Sequence, residues 1–303
     1  MVMVLVMNKN MKKGLIVLTI IGCISFCLVG CTGKDSVDEP NGSVINEKTE
    51  AMVLQDQESE TEINIDKSGD KVATVSEEIG SVEAAYQEIL SRDTTNYNQV
   101  EMNEECYEKY ELWDNELNSL WEQIKETLDE SAYESLLDEQ REWLERKKLH
   151  VRACGSEAFG GSMQPMLESS GASDMTRVRC YQLAKVLADA RGEQFSMEEI
   201  EAVIDYVDPS YDDVMWGFRG PYDMVSYDDS TGELMISHES DKWEAIITYN
   251  GQRQQVELWG YTSDRIIWKS SEGEFFELGL SWENELEFNH RDDLKEYVDA
   301  YSL

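Results

Sequence analysis

The stretch MNEECYEKYELWDNELNSLWEQIKETL, residues 102–128, decides the architecture. Its members Met102, Cys106, Tyr110, Trp113, Leu117, Leu120, Trp121, Ile124 and Leu128 recur at intervals of three and four, which places them on one face of a long helix. After a break near Asp129 to Ser131, the residues Tyr133, Leu136, Leu137, Gln140, Trp143, Leu144 and Val151 repeat the pattern. So short a connection predicts an antiparallel pair. Gly155, Gly160, Gly161, Ser162 and Pro165 interrupt the helical period. Ser173 is then placed to cap a third helix carrying Met175, Val178, Leu183, Val186 and Leu187, with Gly192 at its end. The result is an up-down-up three-helix bundle.

Working outward toward the N-terminus, Val82, Ala85, Tyr86, Ile89 and Leu90 predict a short lead-in helix over 81–91. Before it, residues 31–78 are acidic and polar with isolated apolar residues, too few to offset chain entropy, and read as a disordered tether. The first thirty residues have the order of an export signal: Lys9, Lys12 and Lys13, then an uncharged apolar run from Leu15 to Gly30, then Cys31. That run is shorter than the roughly 20 apolar residues of a permanent span. Leu28-Val29-Gly30-Cys31 resembles the bacterial lipobox, which implies a diacylglycerol thioether on Cys31 and cleavage before it, leaving a lipid-anchored extracytoplasmic protein. Two acyl chains suffice for stable anchoring.

Toward the C-terminus the period changes to two. Ser196-Met197-Glu198-Glu199 has capping-box spacing and predicts a connecting helix within 193–210, stopped by Pro209. Six aromatic and β-branched segments follow over 211–303: residues 216–227, 233–238, 243–249, 255–261, 265–270 and 274–288. Asn250-Gly251 is the strongest hairpin signal among their connections. These segments predict a small antiparallel meander, as a sheet, sandwich or barrel, closed by a helix over 292–301. The fold class is therefore α+β, with the helical region 79–192 ahead of the β domain. The aromatic row Trp259, Tyr261, Trp268, Phe275 and Phe276 reads as core rather than as a pocket, because it alternates with polar residues.

The chain has 303 residues and a formal net charge of −37. Such acidity excludes nucleic acid, whose phosphates require a basic face, and leaves anchoring to lipid chains rather than to electrostatic adsorption. Such charge favours a cationic protein partner, and it equally serves solubility and self-repulsion at a wet surface, which on its own is the simpler account. With only His150, His238 and His290, no His-x-x-x-His pair, no CxxC, no phosphate loop and no nucleophile motif, neither a metal enzyme nor a triad hydrolase is predicted, and no cofactor. Asp66-Lys67-Ser68-Gly69-Asp70 and Asp228-Asp229-Ser230-Thr231-Gly232 lack the ligand alternation of a calcium loop and read as turns.

Five pieces of the helical region carry a family resemblance, and they occur in the family's order. They are Glu101-Met102-Asn103-Glu104-Glu105-Cys106, Trp113-Asp114-Asn115-Glu116-Leu117-Asn118, Glu139-Gln140-Arg141-Glu142-Trp143-Leu144, Gly160-Gly161-Ser162, and Thr176-Arg177-Val178-Arg179-Cys180-Tyr181-Gln182-Leu183. Over about residues 95–190 the chain thereby resembles the LprI-like family, named for a lysozyme-inhibiting bacterial lipoprotein. Where many members carry Arg-Asp after the tryptophan, this chain has Lys147-Lys148.

The motif residues also have a physical reading. Trp113, Trp121 and Trp143 are core fillers on facing helices. Asn118 and Gln140 are placed to hydrogen-bond between helices, and Gly160-Gly161 permits a tight passage. The glycine loop is the best candidate for contact with a partner.

Three cysteines follow the anchor, Cys106, Cys154 and Cys180, and the bundle topology clusters them at one end without choosing a pair. An oxidising exterior permits one disulfide. The position of Cys106 and Cys180 within the family-like pieces favours that pairing. The resemblance and the acidity together imply an envelope-anchored inhibitor of a lysozyme-type cationic muramidase. The alternative is an envelope-associated binding or assembly protein, without lysozyme inhibition, whose β domain holds a ligand.

Overall fold

A computed structural model describes residues 73–225, 230–281 and 285–295. The predicted signal, Cys31, the tether as far as residue 72, the Asp66–Asp70 turn and most of the predicted C-terminal helix lie outside the described residues; residues 292–295 are helical. No helix among the described residues is long and apolar enough to cross a membrane.

The helical region opens with α1 (Val75–Leu90). It starts ahead of the predicted Ser81 because Thr74 and Glu77 form a capping box, Glu77 N donating to Thr74 Oγ1 at 3.2 Å and Thr74 N to Glu77 Oε2 at 2.9 Å. A tether ending at 78 would therefore run into this helix. Next come α2 (Gln99–Thr127), capped by Asn98 with Glu101, and α3 (Glu130–Gly155), whose cap Asp129 accepts from Ala132 N at 3.0 Å. The last long helix, α4 (Gln164–Arg191), starts at Pro165 in its first turn and ends on Gly192 in the left-handed conformation.

Ser173 is thus no cap. It lies in mid-helix and is 2% exposed. Gly171 is small because α4 approaches α3 closely there: a methyl on it would sit 2.7 Å from Cys154 Sγ. The helices share one core, to which α2 gives Trp113, Leu117, Leu120 and Ile124, α3 gives Trp143, and α4 gives Met175, Leu183 and Leu187. Each such side chain contributes about 1.5–3 kcal/mol of burial. α1 adds Val75, Ile79 and Tyr86.

The connecting region breaks into two single turns, α5 (Glu198–Glu201) and α6 (Ile204–Val207), followed by α7 (Tyr211–Gly217). The predicted capping box does not form. Ser196 Oγ accepts only from Glu198 N, at 3.2 Å, and Ile200, Ile204 and Val207 dock instead onto the helical core.

Among the described residues eight strands replace the six predicted. β1 (Gly220–Asp223), β2 (Gly232–Glu239), β3 (Lys242–Tyr249) and β4 (Gln252–Gln254) form one antiparallel meander. β5 (Val256–Tyr261), β6 (Arg265–Ser270), β7 (Phe275–Leu280) and β8 (Leu286–His290) form a second. The Asn250-Gly251 turn has φ values of 48° and 77°, as its hairpin requires. Ser240 and Asp241 make a second left-handed turn without glycine. The start of the first predicted strand is helical because Ser210 caps α7, accepting from Asp213 N at 3.1 Å. The aromatic row is core: Tyr261, Trp268, Phe275 and Phe276 are buried and Trp259 is half-buried.

Sheet and helices meet along α3 and β5. A methyl on Gly260 would lie 2.8 Å from Leu149 O and 3.1 Å from Ala153 N, so the strand backbone rests directly on the helix backbone. Ala153 packs with Ile267 and Phe275, while Arg146 forks onto Asp208 at 3.0 and 3.1 Å.

The favoured disulfide does not form: among the described residues Cys106, Cys154 and Cys180 carry thiols. Helix register is the reason. Cys180 Sγ donates to the Trp113 carbonyl at 3.3 Å, seven residues along α2 from Cys106, or about 10 Å of helix rise. A disulfide needs Cα atoms within about 7 Å.

Candidate interaction site

The family-motif positions divide into an interior set and an exposed set. Trp113, Leu117, Gln140, Trp143, Thr176 and Arg179 are all buried. Arg179 Nε donates to Gln140 Oε1 at 2.7 Å, joining α4 to α3 as predicted for Gln140. Asn118 departs from its predicted role: its amide donates to Asp114 O at 2.9 Å within the same helix, and Thr176 likewise donates to Ala172 O at 2.6 Å. Burial lowers the Arg179 guanidinium to about 10, outweighing the opposing pull of the Glu139 and Asp208 carboxylates.

Lys147, where the family pattern differs, closes the other side of this interior. Its ammonium lies 3.4 Å from Tyr110 Oη and 3.7 Å from Asp114 Oδ1, over the rings of Tyr110 and Trp143 at 4.7 and 5.2 Å. Tyr110 Oη in turn donates to Asp114 Oδ1 at 3.0 Å. The motif Asp114 is therefore compensated by a lysine from the facing helix.

Two further buried groups have displaced titrations. Burial, with Glu78 nearby, pushes the Glu116 carboxyl up to about 7, and burial brings His150 down to about 4. Burial also raises the Cys180 thiol well above its ordinary range, which removes its nucleophilicity.

The exposed set gathers at one end of the bundle. There the passage from α3 to α4 brings Gly160, Gly161, Ser162 and Met163 over the first turns of α2. Asn103 Nδ2 donates to Ser162 O at 3.1 Å, and Gln99 Nε2 donates to Asn103 Oδ1 at 2.8 Å. Gly160 has a φ of 75°, and its N–H donates to Gln164 Oε1 at 2.8 Å. Gly161 N donates to Ala158 O at 2.8 Å, and a methyl at Gly161 would crowd that carbonyl at 3.1 Å. The loop is thus pinned by the motif residue Asn103 at Ser162 and by Gln164 of α4 at Gly160.

Met102 is half-buried beneath this end, whereas Met163 and Val100 are 43% and 62% exposed. Glu101, Glu104 and Glu157 are exposed around them. Met163 on the loop and Val100 in the first turn of α2 are apolar side chains in an acidic setting, which suits a basic protein surface.

Composition and motif search pass over one group in the β region. Glu274, His290 and Asp292 offer ligand atoms within 4.8 Å of one another. The two carboxylates face opposite ring nitrogens, Glu274 at 2.8 Å from Nε2 and Asp292 at 3.2 Å from Nδ1, and Lys295 also pairs with Glu274. Tyr249 Oη also lies 3.2 Å from Nδ1, so both ring nitrogens are engaged by side chains of the fold.

No curated protein and no solved structure matches the chain. Residues 91–183, which hold α2, α3, the pinned glycine loop and most of α4, match the family model described as Lysozyme inhibitor LprI, the family that the sequence resembles.

Proposed function

We propose that this protein is an extracytoplasmic lipoprotein, anchored through acylated Cys31, whose helical region binds and inhibits a cationic lysozyme-type muramidase. The match of residues 91–183 to the lysozyme-inhibitor family carries this reading. The net charge of −37 supports it, since it accelerates encounter with a basic enzyme. The contact surface is the glycine loop with Met163 and Val100, where the accessible motif residues gather. The β region is carried beside it and takes no part in inhibition.

The test is inhibition of lysozyme by the full chain at two salt concentrations. Inhibition at low salt should weaken as salt screens the encounter. Met163→Lys, which removes an apolar contact and adds like charge against a basic partner, should weaken inhibition tenfold or more, about 1.4 kcal/mol. Absence of inhibition at low salt would sink the reading; full inhibition by Met163→Lys would move the contact surface elsewhere. The anchor is tested separately: fatty-acid labelling and processing should both be lost in Cys31→Ala.

A further inference from the structure

The β region holds an aromatic group that the lysozyme reading does not use. Trp216, at the end of α7, is 52% exposed. Its ring stands edge-on to Trp243 with centroids 4.9 Å apart, and His238 lies 4.6 Å from Trp243. Arg219 sits over Trp216 at 5.4 Å. The indole N–H of Trp243 donates to Asp212 Oδ1 at 2.9 Å, which fixes the orientation of the group. Trp216 is held by neighbours and still faces solvent, while Trp243 and His238 are half-buried beside it, an arrangement that hydrophobic burial alone does not produce for Trp216.

Trp243 also forms one wall of an open cleft of about 540 Å³, lined further by Glu244, Arg253, Gln254 and Gln255. Strand pairing explains the cleft. β3 pairs with β2 along its whole length, but β4 reaches only Ile247, Thr248 and Tyr249 before the chain departs for the second sheet. The space beside Trp243 and Ala245 is where a longer β4 would have run. Glu244 and Arg253 face each other across it at 2.8 Å, so these two charges balance within a strongly acidic chain.

From this geometry we infer that the cleft and the Trp216–Trp243 pair form a binding site for a neutral oligosaccharide. A pyranose ring has an apolar face of C–H groups, which packs on an indole plane, and a rim of hydroxyls, which needs donors and acceptors in one plane. The cleft supplies both: indole on one side, and carboxylate, guanidinium and two carboxamides on the other. The balanced charge selects against ionic ligands. An extended peptide added to the open edge of β3 is disfavoured, because Lys242 and Glu244 place charges along that edge, the device by which sheets prevent strand addition.

The experiment titrates the full chain with β-linked N-acetylglucosamine hexamer, with cellohexaose and with an uncharged extended hexapeptide, following tryptophan emission and heat. Saturable binding of at least one sugar is expected, with the peptide silent. Trp216→Ala should weaken it tenfold or more, and Arg253→Gln severalfold, with thermal unfolding unchanged for both exposed positions. A preference for the N-acetylated sugar would assign the carboxamides to the acetamido group. Binding of neither sugar, or binding that both variants retain, overturns the inference, and binding of the peptide alone assigns the cleft to strand addition. Lysozyme inhibition in Trp216→Ala should match the parent, which separates failure here from failure of the muramidase reading.

Discussion

The helical and sheet regions handle their polar and aromatic residues in opposite ways. In the helices the aromatic motif residues are buried and polar ones are carried in with them, as with Asp114 beneath Lys147 and Gln140 against Arg179. In the sheets the hydrophobic row is equally buried, yet Trp216 stays at the surface, against half-buried Trp243 and His238 and beside a charge-balanced cleft. The difference teaches that the residues which carry the family resemblance mostly build the scaffold of this chain. The proposed contact surfaces lie where the scaffold leaves side chains exposed, at the glycine loop of one region and the aromatic group of the other.

The largest effect should come from emptying the helical core. Trp143 is fully buried, and Trp143→Ala should cost about 3–5 kcal/mol in chemical denaturation. Its indole N–H has no hydrogen-bond partner among the described residues, so Trp143→Phe removes an unsatisfied donor along with some area and should cost under about 1.5 kcal/mol. Similar losses in both variants would show that the indole itself, not its volume, holds the bundle. The comparison would then break, because the motif tryptophan would have a specific role.

A second prediction concerns pH. The folded state holds Glu116 at about 7 against an ordinary 4.5, so folding favours its protonated form. That stabilisation is present below pH 4.5 and is lost as pH rises through 7. Glu116→Gln, which keeps the neutral shape, should therefore gain up to roughly 3 kcal/mol over the parent at pH 8 and little at pH 4. Unfolding curves at the two pH values check this; an equal effect at both would mean that the carboxylate is hydrated in the fold. His150 works in the reverse sense: its folded value of about 4 gives stability that is present above pH 6.5 and lost as pH falls toward 4.

How far the sequence discloses this follows from where each signal resides. The long helices are legible because an apolar stripe at spacings of three and four has one geometric solution, and Gly192 and Asn250-Gly251 announce their own backbone angles. The start of α4 is hidden because Ser173 looks like a cap, although it lies in mid-helix two residues after Gly171, which is small to admit α3. Trp216 reads as strand because aromatic residues favour sheets, although Ser210 and Asp213 carry a helix-cap signal that identifies α7. Cysteine pairing depends on helix register, which amphipathic periodicity leaves undetermined. At the glycine loop, flexibility is visible in the residue types. Its bond from Asn103 spans 59 residues and has no local signature. The Trp216, His238 and Trp243 group is assembled from three elements and is equally invisible along the chain.

The smallest expected effect bears on whether the two regions are one folding unit. Gly260 lies at an irregularity in the β5–β6 register, where the strand bulges and its backbone meets Leu149 O and Ala153 N of α3. A methyl there has no flexible side chain to displace, so Gly260→Ala must move strand and helix apart and should cost about 1–3 kcal/mol by overpacking. The informative readout is cooperativity. Near-ultraviolet dichroism of the aromatic sheet and far-ultraviolet dichroism of the helices should give coincident transitions in the parent and separate ones in Gly260→Ala, with the sheet melting first. Coincident transitions in both would mean that the contacts of Arg146 with Asp208 and of Arg291 with the Ser156 carbonyl suffice to couple the regions. Separate transitions already in the parent would make the helical region autonomous. Its family resemblance would then mark a module that folds without the sheets.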